Sequence, residues 1–435
     1  MRGGLAGRHL SAAANRAREV GRTSWSFADQ GVVSLGNFLT QIVLVRFLLP
    51  SQYGVFVLFF SVMVLLNNCQ SSIVTYPLSV HGSASDLRGL RKITAFSLAL
   101  TAAIALPQIP IVFGVAVFLK HSELTLAIVV ALGCWQLQET LRRALMAHLR
   151  HRAAFPGDAL SYCGQAAVLW YLAAHGALSL EAVFEVIAAT SLVAATVQAA
   201  QLRPAPGSIR DSLGLLRSYW RLGKWNLATN ATDAAVSASF PWTLGLAQGP
   251  AEAAAFQTVS NLLRVSHPVT FGVGNLVVPA ASRERRESGI RGAVRSAWRP
   301  GAFGALLLLP YFAVLLIWPR WALSLAYGHG SGYVGLTAAL RWFVLAYVFS
   351  YLFSVMGAFL NGIGHPSKLF VGEVGGAVCA LAAGIPLTMR YGVLGACLGF
   401  FLVCLARMAT ASALVGRLLH SERAEPSPLV QGTGR

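Results

Sequence analysis

Charge is what this sequence has least of. Only 11% of its 435 residues are Asp, Glu, Lys or Arg, with 16 acidic residues against 34 basic ones. A soluble chain carries roughly a quarter of its residues as charges, so a water-solvated globule is excluded. Cysteine is also scarce. Cys69, Cys134, Cys163, Cys379, Cys397 and Cys404 all lie in apolar stretches, without CxxC spacing or neighbouring histidine clusters. They read as small apolar packing residues, not as metal ligands or disulfides. Signatures of catalysis are missing too: there is no GxxxxGK[ST], HExxH or GxSxG. The polar connections are too short to hold a catalytic domain. The expectation is therefore a non-enzyme with no cofactor, no metal and no direct use of ATP.

What the sequence does have is apolar length. Hydrophobic residues make up 55% of it, in stretches of about 20 to 30 residues separated by short charged clusters. At 1.5 Å per residue, each stretch can cross a hydrocarbon core of about 30 Å. In lipid the backbone must satisfy its own hydrogen bonds, and the alternation of barrel strands is absent, so these stretches must be helices. The fold class expected is an all-α membrane protein of about twelve transmembrane helices. Spans are predicted at 25–49, 53–80, 92–119, 123–148, 156–175, 179–202, 221–247, 251–281, 296–318, 336–362, 366–389 and 391–418. Residues 1–24 are Arg-rich and lack an apolar core of their own, so they read as a cytoplasmic segment before a first anchoring span. The tail 419–435 is polar and rich in Pro and Gly, and is expected to be disordered.

The net charge of +18 suggests nucleic acid until the basic residues are placed. With the N-terminus inside, 27 of the 34 basic residues fall on inside segments and four (Arg46, Lys120, Arg320, Arg390) at outside ends. That bias is the positive-inside rule. It predicts both termini in the cytoplasm and no nucleic-acid partner. The basic segment 283–299 reads either as a surface helix on anionic lipid or as an inside-retention signal. Trp220, Trp225, Trp242, Trp318 and Trp321 fall near predicted span ends, as interface anchors do.

The chain also echoes itself. Pro50 and Pro250 each follow a tryptophan, Trp25 and Trp225, by the same interval. Pro77 and Pro279 are expected to close each second helix, and Pro156 and Pro366 to open each fifth. The reading is an N-lobe over 25–202, a linker over 203–220 and a C-lobe over 221–418. Two pseudo-symmetric six-helix lobes of the same orientation would then surround a central cavity.

Two runs carry a family resemblance: Phe27–Thr40 (FADQGVVSLGNFLT) and Val45–Phe56 (VRFLLPSQYGVF). They resemble the polysaccharide biosynthesis family, the O-antigen and exopolysaccharide flippases. Val45 and Leu49 depart from the small residues usual in that family. Gly249-Pro250, Phe256, Asn261 and Pro279 echo the pattern in the second half. The resemblance implies the fold of the multidrug/oligosaccharidyl-lipid/polysaccharide exporters. It also implies that a polyprenyl-diphosphate-linked oligosaccharide is moved between leaflets of a bacterial inner membrane. Polymerase and chain-length proteins of the same pathway are the partners implied, beside membrane lipid, and Asn37 belongs to the Asn-Phe pair of the first helix that carries the resemblance. A cation-coupled multidrug exporter of the same superfamily and a membrane-embedded polymerase or ligase are the alternatives.

Charges inside spans are the candidate site residues. Arg264 lies deep in the eighth span, where a planar guanidinium suits a diphosphate, and Asp233 on the antiparallel seventh span is its expected partner. Arg46 and Arg341, near outer ends, either snorkel or line a cavity. Asp29 and Gln30 sit one turn into the first span, where an acid also suits a helix N-terminus. Glu139 precedes Arg142 and Arg143 by one turn and reads as a local pair or a coupling acid. Asp158 reads as a helix cap. Glu373 lies between Gly372 and Gly376, and the pairs Gly372/Gly376 and Gly395/Gly399 read as helix-packing positions. Substrate contacts are thus expected from Arg264, Arg46, Arg341, Asn37 and Gln30, and ion coupling from Asp233, Asp29, Glu373 and Glu139.

Overall fold

The computed structural model describes residue 25 and residues 28–148, 150–207 and 209–424. The basic segment 1–24 and the end of the tail, 425–435, lie outside the described residues. Among those described, the chain is helical almost throughout and contains no strand. Helix α1 covers 28–47, α2 Pro50–Ser83, α3 Leu87–Phe118, α4 Thr125–Ala147, α5 151–174, α6 Leu180–Leu202 and α7 Ile209–Ala247. Then follow α8 (Pro250–Arg264), α9 (His267–Ile317), α10 (Pro319–Tyr327), α11 (Thr337–Gly362), α12 (366–391) and α13 (393–424).

Seven of the described helical stretches are long and apolar enough to cross a membrane. Two of these exceed one crossing, and each is broken by a glycine at positive φ: Gly289 within α9 (φ 73°) and Gly392 between α12 and α13 (φ 58°). A side chain there would clash with its own backbone, so glycine is what lets the chain turn. α1, α5, α7 and α8 fall outside the seven because they are more polar or are interrupted. Counting α8 and the first arm of α9 (267–288) as one interrupted span gives twelve crossing segments, as the apolar runs predict.

Proline starts several helices, where its missing N–H costs nothing. Pro50, Pro250 and Pro366 all stand at the first helical position, matching the sequence echo. The other expected proline boundaries are corrected. α2 runs through Pro77 to Ser83, and the first arm of α9 runs through Pro279 to 288. α5 opens at His151, with Pro156 inside it. In α2 a π-turn at Ser71–Thr75 precedes Pro77, so the carbonyl that proline leaves without a donor falls in an already widened turn. π-turns recur at Ala159–Cys163 in α5 and Ala380–Gly384 in α12, the fifth helix of each half. α7 begins at Ile209, within the segment read as a linker, and α13 extends to Ala424, so 419–424 is helix and not disordered tail.

Packing divides the chain into two units. One takes the described residues up to Leu48 together with Val62–Leu227; the other takes Leu49–Ser61 and the described residues from Ala228 onward. In the first unit α4 packs along α6 and against α3. Its core includes Leu78, Leu90, Leu141, Leu145, Leu202 and Tyr219. Between α2, α3 and α4 runs a buried polar ladder: the Gln70 amide donates to Thr101 and Thr140 at 3.0 Å, and the Gln136 amide to Gln108 at 3.0 Å. Such hydrogen bonds join helices where lipid offers no alternative partner.

In the second unit α11 packs against α9 and α13, repeating the α4 arrangement with its third and sixth helices. Phe240, Phe256, Phe343, Tyr347 and Phe400 form its aromatic core, with ring centroids 5.0 to 6.4 Å apart. The glycine pairs serve close packing, as expected. A Cβ on Gly399 would stand 2.7 Å from the Gly384 Cα, and one on Gly376 would stand 2.6 Å from the Arg407 side chain.

Candidate functional site

The first unit buries an ion cluster built outward from α4. Helical spacing puts Glu139, Arg142 and Arg143 on one face. Arg143 Nε meets Glu139 Oε1 at 2.6 Å, and Arg142 NH1 meets Glu139 Oε2 at 3.3 Å. The local pairing expected of Glu139 is present, but Arg142 also reaches two other helices. Its Nε lies 2.5 Å from Asp158 Oδ2 on α5, and its NH2 lies 3.4 Å from Asp29 Oδ2 on α1. Asp158 is therefore not the helix cap predicted; it is fully buried and also accepts from Gln198 on α6 at 3.2 Å. Two glycines allow the approach. A Cβ on Gly157 would meet the Gln198 amide at 2.6 Å, and one on Gly36 would meet the Tyr162 backbone at 2.5 Å. Three carboxylates face two guanidiniums, and Asp29 Oδ1 has no hydrogen-bond partner among the described residues. Burial of one uncompensated negative charge suits a site that takes up a proton or a cation.

A second cluster occupies the other unit. Arg407 on α13 meets Asp233 on α7 at 2.8 Å and Glu373 on α12 at 2.9 Å. The Glu373 contact has ion-pair distance but not hydrogen-bond direction, since Glu373 Oε2 and Arg407 NH2 both lack a directed partner. It is accordingly an electrostatic contact. Each unit draws one carboxylate from its first helix and one from its fifth, with Glu139 of the fourth helix added in the first unit, and here too the carboxylates outnumber the guanidiniums by one. The Asp233 side chain is 46% exposed, while those of Glu373 and Arg407 are 6% and 7% exposed. Arg407 is the residue that sequence reading left without a role. The signal was present, because a guanidinium within an apolar span must find a carboxylate, but its distance along the chain hid the partner.

The expected Arg264–Asp233 pair does not form: Asp233 belongs to Arg407. Arg264 is the last residue of α8, about 20 Å from the start of that helix. The helix stops there and restarts at His267. Arg264 is exposed and has no ion pair among the described residues. Tyrosines secure the break. Tyr311 donates to the Leu262 carbonyl, Tyr327 donates to the Thr258 carbonyl at 2.8 Å, and Asn261 donates to the Tyr53 hydroxyl at 3.0 Å. Tyr53 is completely buried, and Gly54 beside it abuts the Pro250 carbonyl. The Tyr-Gly pair that carried the resemblance thus braces the interrupted span. The His267 ring stacks on Tyr347 at 6.1 Å between centroids. Interrupted helices that offer polar groups at membrane depth are how transporters build binding sites.

The remaining predicted residues stand apart from these groups. Arg46 and Asn37 are exposed on α1, and Gln30 is half-buried next to Asp29. Arg341 is exposed at the start of α11 and donates from Nε to the Leu316 carbonyl at 3.1 Å. No cluster of His, Cys, Asp and Glu able to hold a metal occurs among the described residues.

No protein-family profile and no curated protein matches the sequence. Solved structures do match its fold. The chain is similar to a multidrug resistance MATE family transporter of the MOP superfamily in its inward-facing conformation, with a TM-score of 0.74 and 13% identity over 91% of this chain and 96% of that one. It is similar to a MOP superfamily transporter from Pyrococcus furiosus, described as having a binding pocket of reversed polarity, with a TM-score of 0.63 and 14% identity over 92% and 94%. A eukaryotic MATE transporter gives a TM-score of 0.65 and 13% identity over 93% and 96%. The twelve crossing segments and their recurring helix pairings form a MATE-like fold.

Proposed function

We propose that this chain is an ion-coupled membrane exporter that carries an anionic, lipid-linked cargo, of the polyprenyl-diphosphate-linked oligosaccharide class, by alternating access. The observation that carries the reading is Arg264: a guanidinium with no carboxylate partner among the described residues, at a tyrosine-braced break within a membrane span. An internally paired arginine has little left for a ligand, and Arg142 and Arg407 are so paired. Arg264 can give its planar fork to a diphosphate, while the lipid tail remains in hydrocarbon. The two carboxylate-rich clusters are the coupling candidates, each able to exchange a proton or cation as its guanidinium shifts between acids. Structures of the same fold solved in inward-facing and outward-facing conformations support an alternating cycle. One of the similar structures is described as having a pocket of reversed polarity that suggests a different function, which supports a role other than multidrug export within the fold. The inside bias of the basic residues supports cytoplasmic termini, and a bacterial inner membrane is the location that belongs to this reading.

A second reading, export of cationic drugs, is favoured by the multidrug transporters among the similar structures. Proteoliposomes separate the two. A fluorescent polyprenyl-diphosphate disaccharide should change leaflet with the native chain and stay in place with Arg264→Ala, with partial recovery in Arg264→Lys. Uptake of a lipophilic cation, with no movement of the disaccharide, overturns the proposal in favour of drug export.

A further inference from the structure

The second arm of α9 starts in the basic segment and ends some 28 residues later at Ile317, about 42 Å away along the axis. At that far end the connection between the predicted spans 296–318 and 336–362 folds into α10 and a 3-10 turn at Gly332–Gly335. Together with the start of α11 these segments enclose an open pocket of about 660 Å³. Its walls include Trp318, Arg320, Trp321, Ser324, His329 and Arg341. Both indoles are more than half exposed, and Ile317 and Leu325 beside them expose 57% and 62% of their surface.

Three features of this pocket point the same way. First, its charge has one sign: neither arginine has an ion pair among the described residues, and the sequence holds no acid between Glu287 and Glu373. Second, two of the few basic residues away from the basic ends of the helices meet in this one pocket, against the general bias of membrane proteins. Third, the walls are tryptophans at helix ends, flanked by exposed aliphatic side chains. A freely soluble anion would leave that apolar surface uncovered, whereas a lipid would cover it.

We infer that this pocket binds the phosphate headgroup of an anionic membrane lipid, at the face opposite the basic segment. Arg320 and Arg341 pair with the phosphate oxygens, the indoles pack on the glycerol region, and an acyl chain runs along Ile317 and Leu325. The site is separate from Arg264 and does not depend on which cargo is carried.

The test uses the purified full chain in nanodiscs of phosphatidylcholine containing phosphatidylglycerol, with retained lipid counted by native mass spectrometry. The expected result is one tightly held phosphatidylglycerol, whose retention falls about tenfold for each arginine removed in Arg320→Ala and Arg341→Ala. Arg291→Ala/Arg295→Ala, at the other end of the helix, should keep it. Both pocket arginines are exposed, and an unchanged melting profile of the double variant checks that the fold is intact. Equal retention in the double variant overturns the assignment. Displacement of the lipid by millimolar inorganic phosphate also overturns it, because the pocket would then be a simple anion site. Retention in Arg320→Lys/Arg341→Lys but not in the alanine pair supports it.

Discussion

Replacing Arg407 by methionine removes the one cation that two carboxylates of the second unit share. Glu373 would be left buried, its side chain only 6% exposed, with its charge uncompensated. Breaking a buried pair by removing one partner costs about 3–5 kcal/mol. The two acids do not contribute equally. The Asp233 side chain is 46% exposed, so its attraction to Arg407 is screened and worth at most about 1 kcal/mol. Nearly all of the loss should therefore trace to Glu373. Methionine at both 407 and 373 replaces a buried ion pair by apolar side chains, a change that is often neutral. The double variant should then recover most of the stability. Reversible unfolding in mixed detergent and dodecyl sulfate micelles, followed by helical circular dichroism, measures each corner of the cycle. A cost below about 1 kcal/mol for Arg407→Met, or a coupling to Asp233 as large as that to Glu373, refutes this reasoning.

Other substitutions test neighbouring parts of the account. Gly376→Ala puts a methyl group 2.6 Å from Arg407 Cγ and Nε, and should cost about 1–3 kcal/mol in the same unfolding assay because the clamped side chain cannot move aside. Arg264→Ala should leave stability within about 0.5 kcal/mol while abolishing transport, since Arg264 pairs with no acid among the described residues. Tyr327→Phe removes the donor to the Thr258 carbonyl and should cost about 1 kcal/mol. His365 lies between two spans, where burial first, then Arg285 and Lys368, hold its pKa below the ordinary value of 6.5. Its depressed pKa means the unfolded chain takes up the proton first, so stability is full above pH 6.5 and falls as the pH drops below it. His365→Asn should flatten that part of the stability profile.

Which parts of this were legible in the sequence follows from the range of the interactions. Span positions were, because desolvation of a helical backbone needs a continuous apolar run. Pro366 marked a helix start because a proline without its N–H is best placed there, and Pro50 and Pro250, legible only as a matched pair, stand at helix starts for the same reason. Pro77 and Pro279 misled, because helices in apolar surroundings continue through proline when a widened turn or a neighbouring helix takes the orphaned carbonyl. Glu139 with Arg142 was readable from helical spacing alone. The reach of Arg142 to Asp29 and Asp158 was not, since a largely apolar helix gives little sign of which face meets which neighbour. For the same reason Asp233 was assigned to Arg264 by depth, whereas the fold gives it to Arg407, 174 residues away. Nor did composition signal α10, a nine-residue helix within the connection left between the predicted spans 296–318 and 336–362.

The central claim, outward movement of a lipid-linked anionic glycan, is tested most directly in cells lacking the chain. Polyprenyl-linked glycan would be measured separately in the two leaflets, with and without restoration by the native gene and by Arg264→Ala. The account predicts inner-leaflet accumulation in the deletion strain, outer-leaflet exposure restored by the native chain and no restoration by the alanine variant. Outer-leaflet exposure at the native level in the deletion strain, with no second flippase encoded, would contradict it.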